Sequence, residues 1–242
     1  MEQKVLRAVM VCLLLMSMAI LGRETAAYVE TVNAVNALQG NNADTDGIPT
    51  VVIDAGHGGD DPGKIGINGA PEKDINLRIT EKLRQYLEAD GIRVVLTRET
   101  EDGLYDASAP NKKVQDMKRR IEKIEQTDPV LTVSIHQNSY HEESIHGAQV
   151  FYYKTSKESG ELAKILQKEL ARVVEPTNHR QAKANDTYYL LKKTEAPTVI
   201  VECGFLSNWD ECTKLQNEEY QAKLVWAIQM GVLKYLNSNK FT

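Results

Sequence analysis

Val51-Val-Ile-Asp-Ala-Gly-His-Gly-Gly59 is an apolar run that breaks into glycines around a histidine. A short apolar run closed by a turn signal reads as a buried strand, and the glycines let the chain turn sharply and leave His57 accessible. The pattern returns twice downstream. Leu131-Thr-Val-Ser-Ile-His-Gln-Asn-Ser139 is an apolar strand ending on His136, and Val199-Ile-Val-Glu-Cys-Gly-Phe-Leu-Ser-Asn208 is another ending on Glu202. Helical patterns lie between them. Ile75, Ile79, Leu83 and Leu87 repeat every four residues across an expected helix at 73–90, and Val114, Met117, Ile121 and Ile124 set an inward face for one at 111–126. Further helices are expected at 157–174 and 217–237, and further strands at 92–97, 147–153, 188–191 and 197–201. Strands alternating with helices give an α/β domain, a mostly parallel sheet covered on both faces. Ligands collect beyond the carboxyl ends of such strands, so His57, His136 and Glu202 are expected to converge on one rim.

The 242 residues are 42% hydrophobic and 26% charged, which suits one globular domain with an appendage. Net charge is −5 and no long basic stripe is present, so nucleic acid is not expected as a partner. The clusters Lys112-Lys113 and Lys118-Arg119-Arg120 fall on an expected helix among acids and read as a solvated face. Lys4 and Arg7 precede an apolar run, Ala8 to Gly22, whose one polar residue is Ser17. Residues 1–27 are therefore expected to be a signal peptide or N-terminal anchor, with Thr25-Ala26-Ala27 as a cleavage site. This implies export across the cytoplasmic membrane, with membrane contact only through that segment. Residues 28–47 read as a linker and 48–240 as the folded domain. Cys12, Cys203 and Cys212 show no CxxC spacing. Cys203 follows Glu202 on a strand, so it is expected to face the opposite side as a buried free thiol, with a Cys203–Cys212 bridge left open.

A third polar residue joins the two histidines. Glu72, in Ala70-Pro-Glu-Lys-Asp74, stands just ahead of the first helix. Two imidazoles and one carboxylate make the three-ligand set that holds a catalytic Zn²⁺ with one position open. Each residue alone has a plainer reading: a helix-start charge for Glu72, a structural imidazole for His136, a buried ion pair for Glu202. Their convergence favours the metal. Glu202, a carboxylate on an otherwise apolar strand, is the candidate general base. The turn around His57 lacks GxGxxG and Walker lysine spacing, which argues against a phosphate cradle. His141, His146 and His179 lie in loops and are not expected to be ligands. Arg98, Asn138, Arg180 and Tyr188 are candidate substrate contacts, with loops 98–113, 137–146 and 176–187 as groove walls.

Asp54-Ala-Gly-His-Gly-Gly-Asp-Asp-Pro-Gly63, Glu72-Lys-Asp74, Ser134-Ile-His-Gln-Asn138 and Val201-Glu-Cys-Gly-Phe-Leu-Ser-Asn208, in that order, resemble the signature blocks of the zinc-dependent N-acetylmuramoyl-L-alanine amidases of type 3. The resemblance spans about 48–238. It implies a twisted sheet of about six strands, peptidoglycan as substrate, His57, Glu72 and His136 as zinc ligands, and Glu202 as the catalytic glutamate. The expected reaction is hydrolysis of the amide between N-acetylmuramic acid and L-alanine. Within the family, Lys118-Arg-Arg-Ile-Glu-Lys-Ile124, His146-Gly-Ala-Gln-Val-Phe-Tyr-Tyr153 and the single-domain layout look most like the germination-specific members that shape spore cortex towards muramic-δ-lactam. That likeness implies action in the cell wall or forespore intermembrane space and an activating lipoprotein partner. Ala55, Gln137 and Cys203 depart from the family's usual residues; none removes a ligand, and Gln137 is expected to alter the groove. The competing readings are a zinc peptidase trimming wall peptides and a non-catalytic wall-binding scaffold.

Overall fold

The structure, a computed structural model, describes residues 48–239. The expected signal peptide or anchor and the linker lie outside the described residues. Among these residues no helix is long and apolar enough to cross a membrane. The elements in order are β1 (Thr50–Ala55), α1 (Glu72–Ala89), β2 (Arg93–Leu96), α2 (Lys112–Thr127), β3 (Leu131–Asn138), β4 (Gln149–Tyr153), α3 (Lys157–Val173), β5 (Lys183–Asn185), α4 (Tyr189–Lys193), β6 (Thr198–Phe205), α5 (Trp209–Leu215) and α6 (Glu218–Ser238). The six strands form one sheet in the order β2-β1-β3-β6-β4-β5. β2, β1, β3 and β6 are mutually parallel, β4 runs antiparallel to β6, and β5 is parallel to β4.

Local sequence sets the helix ends. Asn111, Ser156, Asn208 and Asn217 each accept a backbone N–H with the side chain and so cap α2, α3, α5 and α6. Gly91, at φ 78°, takes the left-handed turn after α1 that a residue with a Cβ would resist. α1, α3 and α6 pack together on one side of the sheet, and α2 and the short α4 cover the other. Val52, Ile124 and Leu190 form the core under α2 and α4, with Met117 and Ile121 against it.

The expected strand at 188–191 is instead the start of helix α4. A strand would send Leu190 and Leu191 to opposite faces, one of them away from the sheet. A helical turn buries both, Leu190 against Val52 and Ile124, Leu191 against Phe151 and Ile200. β5 lies within the stretch expected to be a polar loop, held by the ladder to Phe151–Tyr153 and not by any apolar pattern of its own. A separate helix, α5, precedes the terminal one. Val114 lies on the outer side of α2 at 48% exposure, because that helix meets the sheet through Met117, Arg120, Ile121 and Ile124. Arg120 is 1% exposed, so the basic run 118–120 is not the solvated face its composition suggests.

The large face is closed by an intimate crossing of α3 and α6. A Cβ placed on Gly231 would lie 2.5 Å from Leu166 Cδ2 and 3.2 Å from Leu166 Cα. Gly231→Val should therefore force the two helices apart and destabilise the domain by about 1–3 kcal/mol, read as a lowered midpoint in urea unfolding.

Candidate active site

Period-two alternation places one set of polar side chains on the α2–α4 face of the sheet. Asp54 on β1 pairs in register with Ser134 on β3, which pairs with Ile200 on β6. Two rows further along, His136 pairs with Glu202, both on the same face. β3 and β6 continue past these two residues, to Asn138 and Phe205, with an irregularity after His136. Gly56 extends β1 beside them, donating its N–H to the Ile135 carbonyl at 3.1 Å. The His136 ring lies over Gly56 so closely that a Cβ there would stand 2.3 Å from Cε1 and Nε2.

His57 follows at φ 62°, a left-handed backbone rare for a residue with a Cβ, and carries its imidazole towards the start of α1. There Glu72 stands between the two rings. His57 Nε2 is 3.2 Å from Glu72 Oε2, and His136 Nδ1 is 3.0 Å from Glu72 Oε1. The candidate donor atoms of the three residues all lie within 4.8 Å of one another. The rings meet edge to face with centroids 5.0 Å apart. His57 Nδ1 faces Asp61 Oδ2 at 3.0 Å, and a carboxylate behind the free ring nitrogen is how ligating histidines are usually oriented. Glu72 is fixed in turn by the backbone N–H groups of Lys64 and Gln137, at 2.8 and 3.0 Å, and by Asn76.

The electrostatics separate the two glutamates. Burial alone would raise the Glu72 carboxyl, but hydrogen bonds and charge from His136 and His57 overcome it and hold the group far below the ordinary carboxylate range. Burial opposes a charged His136, yet the Glu72 partnership wins and its pKa rises. Glu202 is 7% exposed, and its buried Oε2 has no hydrogen-bond partner. Burial lifts its carboxyl to about 7, with the His136 imidazole pulling down and the Glu72 carboxylate pushing up. An orphaned buried carboxylate beside two imidazoles and an anionic glutamate is a poor arrangement by itself. It is well matched to a divalent cation that takes nitrogen and oxygen donors, as Zn²⁺ does.

A cavity opens beside His57, His136 and Glu202, and Met117, Tyr188, Leu190, Ile200, Asp54 and Arg120 also line it. Burial pushes the Tyr188 phenol up to about 12, with Glu202 and Glu72 adding to the shift. Arg180 is brought near the site. Its Nε donates to the His146 carbonyl at 2.8 Å, its Nη1 to Gln149 Oε1 at 3.3 Å, and Gln149 pairs with Glu202 across the ladder. Asn138 lies half-buried at the end of β3, its Oδ1 accepting the Ser139 N–H. Arg98 does not reach the cavity as a substrate contact. It is 3% exposed, and its guanidinium donates to the carbonyls of Ala55, Gly56, Lys73 and Thr100. Gln137 also leaves the groove: the strand alternation turns it to the opposite face, where it is buried against Asn76. Cys203 is buried there too, and burial raises its thiol. Cys203 and Cys212 are both free.

Asp61 and Arg120 were not among the candidates read from the sequence. Asp61 is marked only by its place four residues after His57 in a glycine-rich turn. Arg120 has no local signal, since its partner Asp54 is far off in the chain.

The sheet order, the two imidazoles with a carboxylate between them, and the buried acid alongside define a class of hydrolytic α/β enzyme with a metal-type centre at a strand rim. Comparison with known proteins narrows the class. The family described as N-acetylmuramoyl-L-alanine amidase matches residues 51–234. The germination-specific N-acetylmuramoyl-L-alanine amidase of Bacillus subtilis is 36% identical over 188 residues, covering 76% of this chain and 78% of that protein. The CwlD amidase of Clostridioides difficile, solved in complex with the GerS lipoprotein, is 45% identical with a TM-score of 0.77, covering 79% of this chain and 100% of that one. An N-acetylmuramoyl-L-alanine amidase of Clostridium difficile is 32% identical with a TM-score of 0.71, covering 79% and 98%. The chain belongs to the N-acetylmuramoyl-L-alanine amidase family. It is an enzyme that hydrolyses peptidoglycan, and its cell-wall relatives imply action outside the cytoplasm.

Two outcomes follow from the site's packing. Gly56→Ala has no room for its methyl and should displace the His136 ring, weakening divalent-cation binding at least about 10-fold in a calorimetric titration while the fold persists. Asp54, whose folded pKa lies well below its ordinary 3.8, contributes stability that is complete above that ordinary value and is lost progressively as pH falls below it towards the lower folded value. Asp54→Asn should thus cost about 3 kcal/mol at neutral pH by leaving the buried Arg120 with Asp116 as its one carboxylate partner, and the gap to the unaltered protein should narrow in denaturant melts as pH falls below about 4.

Proposed function

We propose that the chain is a zinc-dependent N-acetylmuramoyl-L-alanine amidase in which His57, Glu72 and His136 hold the metal and Glu202 moves the proton. The observation that carries this reading is the meeting of three donor atoms within 4.8 Å beside a buried carboxylate that has no partner. A Zn²⁺ bound there would supply a Lewis acid, lowering the pKa of water from ~15.7 towards ~7 and polarising the scissile carbonyl. Glu202 accepts a proton at its carboxylate from the attacking water and returns it to the leaving amine of L-alanine. Glu202, whose carboxyl burial lifts to about 7, would be drawn towards its ionised, base-competent form by a cation held at the triad. Asp61 keeps Nδ1 of His57 occupied so that Nε2 faces the centre. Tyr188 and the apolar wall shield the proton path, while Arg180 and Asn138 offer polar contacts at the rim.

The role we propose is maturation of spore cortex towards muramic-δ-lactam. Likeness to the germination-specific amidase of Bacillus subtilis and to the CwlD amidase of Clostridioides difficile supports it. The latter was solved with a lipoprotein, and a lipoprotein partner that activates this chain is part of the same reading. Residues 1–27 would serve as signal peptide or anchor and 28–47 as linker to a catalytic domain at 48–240, delivering it to the cell wall or forespore intermembrane space.

Glu202→Gln should lower the release of stem peptide from purified cortex peptidoglycan by at least ~10²-fold while Zn²⁺ still binds. A chelator should abolish turnover in the unaltered protein and added Zn²⁺ restore it, with mass analysis showing intact peptides that begin at L-alanine. Trimmed amino acids among the products would mark a peptidase instead.

A further inference from the structure

Arg120 is the largest fully buried side chain among the described residues. Its Nε donates to Asp116 Oδ2 at 2.6 Å, Nη1 to Asp54 Oδ1 at 2.7 Å and to the Ala55 carbonyl at 2.6 Å, and Nη2 to the His57 carbonyl at 2.5 Å. Burying a guanidinium for the sake of an ion pair alone gains little, since an apolar side chain of similar volume fills such a place at no greater cost. Asp54 does not lack hydrogen bonds either, as Thr97 and Ser134 already donate to it. What sets Arg120 apart is its hold on main chain either side of Gly56.

That main chain needs holding. β1 ends at Ala55, so the next carbonyls have no ladder to join. His57, Gly58 and Gly59 then run at φ 62°, 142° and 57°. Two of these are glycines, for which such angles are ordinary, but His57 carries a Cβ and is strained there. The strain has a use: this backbone is the one that brings Nε2 to Glu72. Arg98 and Asn76 hold the Gly56 carbonyl from another side, so three consecutive carbonyls are bonded by side chains and none by a strand partner across β1.

We propose that Arg120 is a positioning residue of the metal centre, its forked guanidinium clamping the Ala55 and His57 carbonyls so that His57 keeps the left-handed backbone that aims its imidazole at the ion. This rests on the reading of His57, Glu72 and His136 as ligands. A planar fork that serves two carbonyls and two carboxylates at once is specific to arginine; a lysine ammonium keeps the charge opposite Asp54 but cannot span the turn.

The test is Zn²⁺ affinity, by competition with a chromophoric chelator, together with the visible spectrum of the Co²⁺-loaded protein; thermal melts confirm folding. Zn²⁺ binding by the unaltered chain is measured first, and its absence overturns the metal reading and this role together. Arg120→Lys is expected to bind Zn²⁺ about 10–100-fold more weakly and to show a shifted Co²⁺ band. Asp116→Ala, which unseats Nε but leaves Asp54 in place, is expected to weaken binding several-fold. A folded Arg120→Lys protein with unaltered affinity and spectrum overturns the clamp while the metal site stands. Should Arg120→Lys fail to fold, Asp116→Ala decides on the same readouts, and unaltered affinity there overturns the clamp.

Discussion

The ion pair between Asp54 and Arg120, both almost wholly buried at the meeting of β1 and α2, is what the rest of the site leans on. Asp54 sits two register rows behind His136 and Glu202, on the same face and in line with Ser134, whose hydroxyl donates to it. Arg120 reaches past it to the turn that carries His57. One cluster therefore ties together two strands, a helix and the glycine turn, and each contact is charge-assisted in a region shielded from water. Such clusters are unforgiving: removing one member leaves the others buried and uncompensated, so the arrangement is retained whole or lost whole.

The two glutamates of the centre show how placement divides labour between identical side chains. Glu72 is anchored by main-chain donors and two imidazoles, which hold its carboxyl far below the ordinary carboxylate range. Glu202, on β6, has a buried Oε2 with no hydrogen-bond partner and remains responsive to its surroundings. A fixed anion suits a ligand and a tunable acid suits a proton carrier, the division seen wherever paired carboxylates are given unlike environments.

Much of this was legible in the sequence. Strands β1, β3 and β6 were marked by apolar runs, and α1 and α2 by their helical periodicity. His57, His136 and Glu202 were singled out by residue type at strand ends and Glu72 by its place ahead of the first helix, and the fold brings them together. What stayed hidden was set by partners distant in the chain. The reversal of β4 relative to β6 is a choice of pairing, since an alternating strand reads the same in either direction. β5 is a strand because β4 offers an edge. Tyr189–Lys193 turned helical because both leucines had a core to fill. Arg98 and Arg120 carry the composition of surface residues, and only the carbonyls left over at the end of β1 explain why they lie inside.

Cys203 and Cys212 are both wholly enclosed and unpaired. Since the thiolate is the reactive form and burial disfavours it at Cys203, that thiol is poorly placed for disulfide exchange in the folded domain. The described residues are thus held by packing and buried charge, with no covalent staple between Cys203 and Cys212. The same enclosure makes each sulfur a silent reporter, one that answers a thiol-specific label only when the domain opens.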